Sequence, residues 1–287
     1  MLKVLKFPIA ILLSLVVLML IGTINLKMFF SSPDTAKSFL NKSGMYPLVA
    51  VGVRENLLKA DVPAGQKGAF LEVANSVLDE GTVKIFVEDI IDQFYANIKN
   101  KTSDPKLVIH LSSLSEKMKG ALLDPNKALI DQMPAITDRT VDLKQNPFYV
   151  TVANLDRTFL YLLVGIVMFS LILLLGDKWS GKLGWFSFSA IFAGLLSGLL
   201  TLLFYFGLSE RIIQNIIAKA GFEDQKFVLG VKKLILLIAD YEKGFYLVAT
   251  IILFSLFIIF LIVSRLLKKS PDKSEAIVPS AKPVKSN

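Results

Sequence analysis

Four stretches of the chain are apolar and free of charge: residues 7–24, 158–175, 183–208 and 245–264. Each meets the length a membrane-crossing helix needs, roughly 17–25 residues. None contains Asp, Glu, Lys, Arg or His. In lipid a lone segment can satisfy its own backbone only as a helix, so four transmembrane helices are predicted. The first is preceded by Lys3 and Lys6, as a secretory leader would be. Its apolar run ends in Asn25-Leu26-Lys27-Met28-Phe29-Phe30, without a small-x-small cleavage site, so it reads as a retained anchor.

Between these stretches the polar segments show helical spacing. Ser32-Pro33-Asp34 has the makings of a helix start, and that helix should run to Lys42 and stop at Gly44. Val49, Val53, Leu57 and Leu58 form a second apolar stripe that ends at Val62-Pro63. Phe70, Val73, Ala74, Val77 and Leu78 form a third, ending at Gly81. Val83, Phe86, Ile90, Ile91 and Phe94 form a fourth. Leu107 to Leu111 reads as a short extended run, and Ser113 or Ser115 caps a helix to Leu123. Pro134 to Pro147 reads as an irregular return. In 209–244, Ile212, Ile213, Ile216 and Ile217 mark one helix. Phe227, Val228, Val231, Leu234, Ile235 and Ile238 mark another, interrupted by Lys232 and Lys233.

Basic residues set the orientation. Lys3 and Lys6 precede the first span, Lys178 and Lys182 lie between the second and third, and Arg265, Lys268, Lys269 and Lys273 follow the fourth. These fall on one side, so both termini are expected in the cytoplasm. The layout is then a cytoplasmic start (1–6), first span (7–24), extracytoplasmic helical domain (25–157) and second span (158–175). A short cytoplasmic link (176–182), third span (183–208), extracytoplasmic helical hairpin (209–244) and fourth span (245–264) follow. A disordered basic tail (265–287) ends the chain. The fold class expected is an all-α integral membrane protein of the plasma membrane.

Composition narrows the chemistry. Fifty-three per cent of the residues are hydrophobic and 20 % charged, with no cysteine and one histidine. Mean hydropathy is +0.58. Disulfides, thiol catalysis and cysteine metal sites are excluded, as is any site with two imidazoles. The net charge of +8 is concentrated in the flanks of the spans. Arg265, Lys268, Lys269 and Lys273 are therefore expected to meet lipid headgroups, and no nucleic-acid motif is present. Spans without ionisable groups argue against proton- or ion-coupled transport. No nucleophile elbow, zinc-protease helix, phosphate loop or dinucleotide fingerprint occurs, and no cofactor is expected. Glu88 and Asp92, four apart, read as a solvated helix face, and His110 as a partly buried structural residue. These three are the candidates for polar chemistry. Ala190, Gly194 and Gly198 in the third span permit close helix approach, either within the bundle or in a homo-oligomer.

One internal echo stands out. Phe39-Leu-Asn-Lys-Ser-Gly-Met45 matches Ile216-Ile-Ala-Lys-Ala-Gly-Phe222, and Gly52-Val-Arg54 answers to Gly230-Val-Lys232. Two parallel copies of span, outer helices and span would produce it. So would a helix end of common type, and both readings stay open.

In topology alone the layout resembles the cell-division and export permease subunits of ABC systems. The resemblance implies a force-transmitting role, but the link at 176–182 offers an ATPase little to grip. The reading preferred is a non-enzymatic envelope protein. Its outer domain would bind a protein, an envelope component or lipid, and the bilayer would hold its spans. A lipid-handling or pore protein and a membrane enzyme are the alternatives.

Overall fold

The computed structural model describes residues 2–58, 78–110, 112, 113, 116, 138–207, 215 and 225–269. About 85 % of it is helical. The elements are α1 (Leu2–Phe29), α2 (Pro33–Ser43), α3 (Met45–Leu58), α4 (Glu80–Asn100), β1 (Lys106–Ile109), β2 (Arg139–Asp142), α5 (Pro147–Ala153), α6 (Leu155–Leu174), α7 (Trp179–Leu202) and α8 (Gln225–Lys269). A π-helical turn, Leu203–Gly207, extends α7. Helices α1, α6, α7 with its π turn, and α8 are long and apolar enough to cross a membrane, the make-up of a multi-pass membrane protein.

The chain divides into two compact units. The first holds Met1–Met19, Leu162–Gly198 and Val248–Asn287. Its core is Ile9, Ala10, Leu13 and Leu173, packed against Phe169, Trp185 and Phe188. Serines tie its helices together. Ser14 Oγ lies 2.8 Å from Ala10 O and 2.9 Å from Ser189 O, so its single proton is shared between them. Ser189 Oγ lies 3.0 Å from Ala10 O and 3.1 Å from Trp185 O. Ser187 donates to Phe257 O at 3.2 Å. These hydroxyls thus reach across helices as well as back along their own. Lys6 is only 1 % exposed. Its ammonium donates to Leu173 O at 3.2 Å, to Leu175 O, and to Asp177 Oδ2 at 2.6 Å. It therefore caps the end of α6, where helix carbonyls lack partners.

The second unit holds Leu20–Tyr161 and Leu199–Leu247. Helix α2 keeps its expected limits. Ser32 caps it, with its Oγ accepting from Asp34 N, and Gly44 closes it at φ 70° and ψ 30°. Helix α4 begins differently. Asp79 caps it, with Oδ1 accepting from Thr82 N at 2.7 Å. Gly81, expected to end a helix, lies in the first turn of this one. The stripe at 70–77 lies outside the described residues, as do most of the 113–123 helix and the 270–287 tail.

The expected irregular return at 134–147 contains a strand. β2 runs antiparallel to β1, with Leu107 opposite Val141 and Val108 opposite Thr140. Two strands alone are marginal, and α4 supplies the missing partner. Gln93 Oε1 accepts from Val108 N at 2.8 Å while its Nε2 donates to Val108 O at 3.0 Å. One turn on, Asn97 Nδ2 donates to Lys106 O at 2.8 Å. The side-chain amides of a helix thus stand in for a third strand.

The fourth span is not separate from the helix expected before it. α8 runs unbroken for 45 residues, about 67 Å at the α-helical rise of about 1.5 Å per residue. Lys232 and Lys233 do not interrupt it, because a charge limits burial without breaking backbone hydrogen bonds. Near its start, Gly230 lies against α3. A β-carbon there would overlap Leu48 Cδ1 and sit 3.1 Å from Met45 Sδ.

Candidate functional site

The polar residues singled out in the sequence hold helices together. Asp92 receives Lys37 of α2 at 2.7 Å. Glu88 Oε1 accepts from the hydroxyl of Tyr46, on α3, at 3.2 Å. Tyr46 is 1 % exposed. Burial, followed by the neighbouring Glu88 carboxylate, pushes its hydroxyl up to about 12. The Asp92 carboxylate, ahead of burial that acts against it, raises the Lys37 ammonium. Glu88, half-buried, and Asp92, which stays on a solvated face as expected, thus link α4 to α3 and α2.

His110 is exposed, not partly buried as expected. Its Nδ1 lies 3.1 Å from Asp138 Oδ2, and Asp138 Oδ1 accepts from Ser112 N at 2.9 Å. The Ser112 side chain and N–H, then His110, hold the Asp138 carboxyl down to about 2. His110 and Asp138 stand side by side where β1 ends and β2 begins. Among the described residues no group of three or more His, Asp or Glu could hold a metal ion.

In the first unit, Ala190 is buried, and Gly194 and Gly198 face α8 of the same chain. A β-carbon at Gly194 would sit 3.3 Å from the Phe254 ring and 3.4 Å from Leu253 Cβ, and one at Gly198 3.6 Å from Thr250 Cγ2. Arg265 and Lys268 stand exposed near the end of α8, whose last residue is Lys269, and Lys273 lies outside the described residues.

The feature with open chemistry lies in the second unit, where an aromatic chain meets a charged cavity. Tyr241, Phe39, Phe29, Phe30, Phe148 and Phe94 touch in succession, with ring centroids 5.1–6.0 Å apart, typical edge and offset contacts. Tyr95 joins at Phe30. Its hydroxyl is buried without a hydrogen-bond partner, and burial pushes it up to about 12. Beside this cluster opens a cavity of about 210 Å³, lined by Lys27, Phe30, Ser31, Ile98, Lys101, Val152, Ala153, Leu155 and Asp156.

Three helix ends place its charges. Lys27 stands in the last turn of α1, Asp156 in the first turn of α6, and Lys101 just past α4. Each sign suits its end of the helix dipole. Lys27 Nζ lies 2.9 Å from Asp156 Oδ1, and Lys101 Nζ 3.2 Å from Asp156 Oδ2. The Lys27 ammonium also sits 4.7 Å above the Phe159 ring. Two ammoniums thus share one carboxylate. Lys101 takes φ 48° and ψ 46°, a left-handed geometry costing an L-residue roughly 1–2 kcal/mol. Gly44 does the same job in α2 without that cost.

The sequence reading missed these three residues. Lys27 and Asp156 were visible as charges flanking two spans on the same side; nothing local pointed to Lys101. It missed a second polar pair as well. Asn25, 1 % exposed, donates to Glu242 Oε2, and its own Oδ1 is buried without a partner. Comparison with family models, with curated proteins and with solved structures finds no match for this chain.

Proposed function

We propose that the chain is a non-enzymatic multi-pass protein of the plasma membrane. Residues 25–157 and 209–244 form its extracytoplasmic part and bind a protein, an envelope component or lipid. The four spans anchor it, with both termini in the cytoplasm. One observation carries this reading: the carboxylates that could have done chemistry, Glu88 and Asp92, are engaged in joining helices, whereas the cavity of Lys27, Lys101 and Asp156 opens to solvent. Exposed Ile85, Phe148 and Val150 add apolar contact surface on the same unit. The seating of Gly230 against Met45 and Leu48 supports pairing of the two outer segments, as a parallel duplication requires.

The test is cross-linking in native membranes with partners read by mass spectrometry. An envelope protein captured by the full chain and lost when residues 31–150 are deleted supports the proposal. With no native cysteine, Ser103→Cys and Lys268→Cys give clean labelling sites. Only the first should react with a membrane-impermeant maleimide on intact cells. A second reading, force transmission in an ABC-type complex, draws on the unbroken length of α8; capture of a stoichiometric ATPase would favour it.

A further inference from the structure

From the cavity of Lys27, Lys101 and Asp156 we infer a binding site for the phosphate of an anionic phospholipid. This names lipid as a partner of the domain proposed above. It rests on that reading in placing the adjoining ends of α1 and α6 at a membrane border.

The argument begins with charge. Two ammoniums against one carboxylate leave a positive charge unmatched among the lining residues. Lys101 is 69 % exposed and Lys27 39 %, so an incoming anion can reach both. A phosphate offers several acceptor oxygens and can take up the donor capacity that one carboxylate leaves unused.

The second element is the wall. Phe30, Ile98, Val152, Ala153 and Leu155 give an apolar lining. A bare inorganic anion gains nothing from it, whereas the glycerol and first acyl carbons of a lipid do. A cavity of about 210 Å³ far exceeds the space that a single water occupies and leaves room for a phosphodiester and its neighbouring carbons. The third element is position. Leu160 and Tyr161, directly after the Phe159 ring under Lys27, are 58 % and 70 % exposed, an apolar track leading away along α6 from the charged mouth. A lysine beside aromatic rings at the end of a span is the usual anchor at a headgroup border.

The fourth element is Lys101 itself. The position calls for glycine, yet carries the one non-glycine residue with positive φ among the described residues. Glycine would relax the backbone and remove the second ammonium from the cavity.

The experiment uses the full chain in a non-ionic detergent, with lipid binding read by native mass spectrometry and the thermal midpoint in parallel. Phosphatidylglycerol, phosphatidylcholine, glycerol phosphate and inorganic phosphate are the probes. Phosphatidylglycerol should bind and raise the midpoint, and the other three should not at equal concentration. Lys27→Gln and Lys101→Gln should each weaken phosphatidylglycerol about fivefold, the usual contribution of one basic residue at an anionic lipid surface. Asp156→Asn should tighten it, because it frees both ammoniums; a purely structural ion cluster would only loosen. Circular dichroism confirms folding of each variant. Unchanged lipid affinity in the lysine variants, weaker binding by Asp156→Asn, or equal binding of phosphatidylcholine overturns the inference. Equal protection by inorganic phosphate overturns the lipid as the source of the phosphate. Sidedness plays no part in micelles, so a negative result here is separable from failure of the cross-linking and labelling tests.

Discussion

Replacing Lys6 by Met should cost far more than loss of a surface charge. The ammonium is 1 % exposed, and its three protons meet three acceptors: Leu173 O, Leu175 O and Asp177 Oδ2. Removing one partner of a buried ion pair costs about 3–5 kcal/mol. Asp177 keeps 17 % of its surface in water, which moves its share toward the low end. Leu175 is exposed, so its carbonyl can rehydrate. Leu173 is fully buried, and an orphaned buried acceptor costs about 1–3 kcal/mol. The expected loss for Lys6→Met is about 3 kcal/mol. Asp177→Asn keeps an acceptor but leaves the Lys6 ammonium, the more buried partner, without its counter-charge, and should cost about 3 kcal/mol. The double variant should then cost less than the sum by about 1–2 kcal/mol, the signature of direct coupling. Lys6→Arg retains the positive charge, yet its planar fork does not fit three acceptors around one nitrogen. It should lose stability while inserting normally. The assay is reversible unfolding in mixed micelles by titrating dodecyl sulfate, followed by far-ultraviolet circular dichroism. A Lys6→Met variant within about 0.5 kcal/mol of wild type, the range of ordinary surface substitutions, or a strictly additive double variant, would refute the reasoning.

Three further outcomes are expected. Gly230→Ala gains about 1 kcal/mol of helix propensity but drives a methyl into Leu48, and overpacking costs about 1–3 kcal/mol. It should destabilise modestly alone, and should cost less when Leu48→Ala makes room, as an unfolding cycle would read. Tyr46→Phe removes a hydroxyl bonded to Glu88 and should cost about 1 kcal/mol; spectrophotometric titration of the wild type should find both Tyr46 and Tyr95 ionising near 12, and the variant should have lost one of the two. Asp138 has a carboxyl held to about 2 against an ordinary 3.8. A depressed carboxylate contributes stability above its unfolded value and loses it as pH falls through the folded one. Protection of the Ser112 amide from exchange should therefore fall between about pH 4 and 2, and Asp138→Asn should abolish that dependence.

What the sequence disclosed was local. Ser32 and Gly44 announce the ends of α2 because capping is decided by three or four adjacent residues, and the spans are apolar throughout. β2 was invisible: Arg139–Asp142 is exposed along its whole length, so no alternation marks it, and its partner lies about thirty residues away. The start of α4 was misread because Gly81 resembles a stop, whereas the Asp79 carboxylate two residues earlier makes a start. The partnerships of Lys6 with Asp177 and of Lys27 with Asp156 depend on helix pairing that no short window contains. Lys101 gave no signal, since a left-handed lysine looks like any other lysine after a helix.

The tryptophans and the tyrosines are divided between the two units without overlap. Both tryptophans, Trp179 and Trp185, belong to the first, and all seven tyrosines, from Tyr46 to Tyr246, to the second. The protein therefore carries two optical channels without a label. Indole fluorescence reports on the helices around Lys6 and Ser14, and tyrosine near-ultraviolet dichroism on the domain built around Tyr46 and Tyr95. If the units unfold separately, the two signals will part under the same titration. Lys6→Met should then displace the indole curve first, and Tyr46→Phe the tyrosine curve.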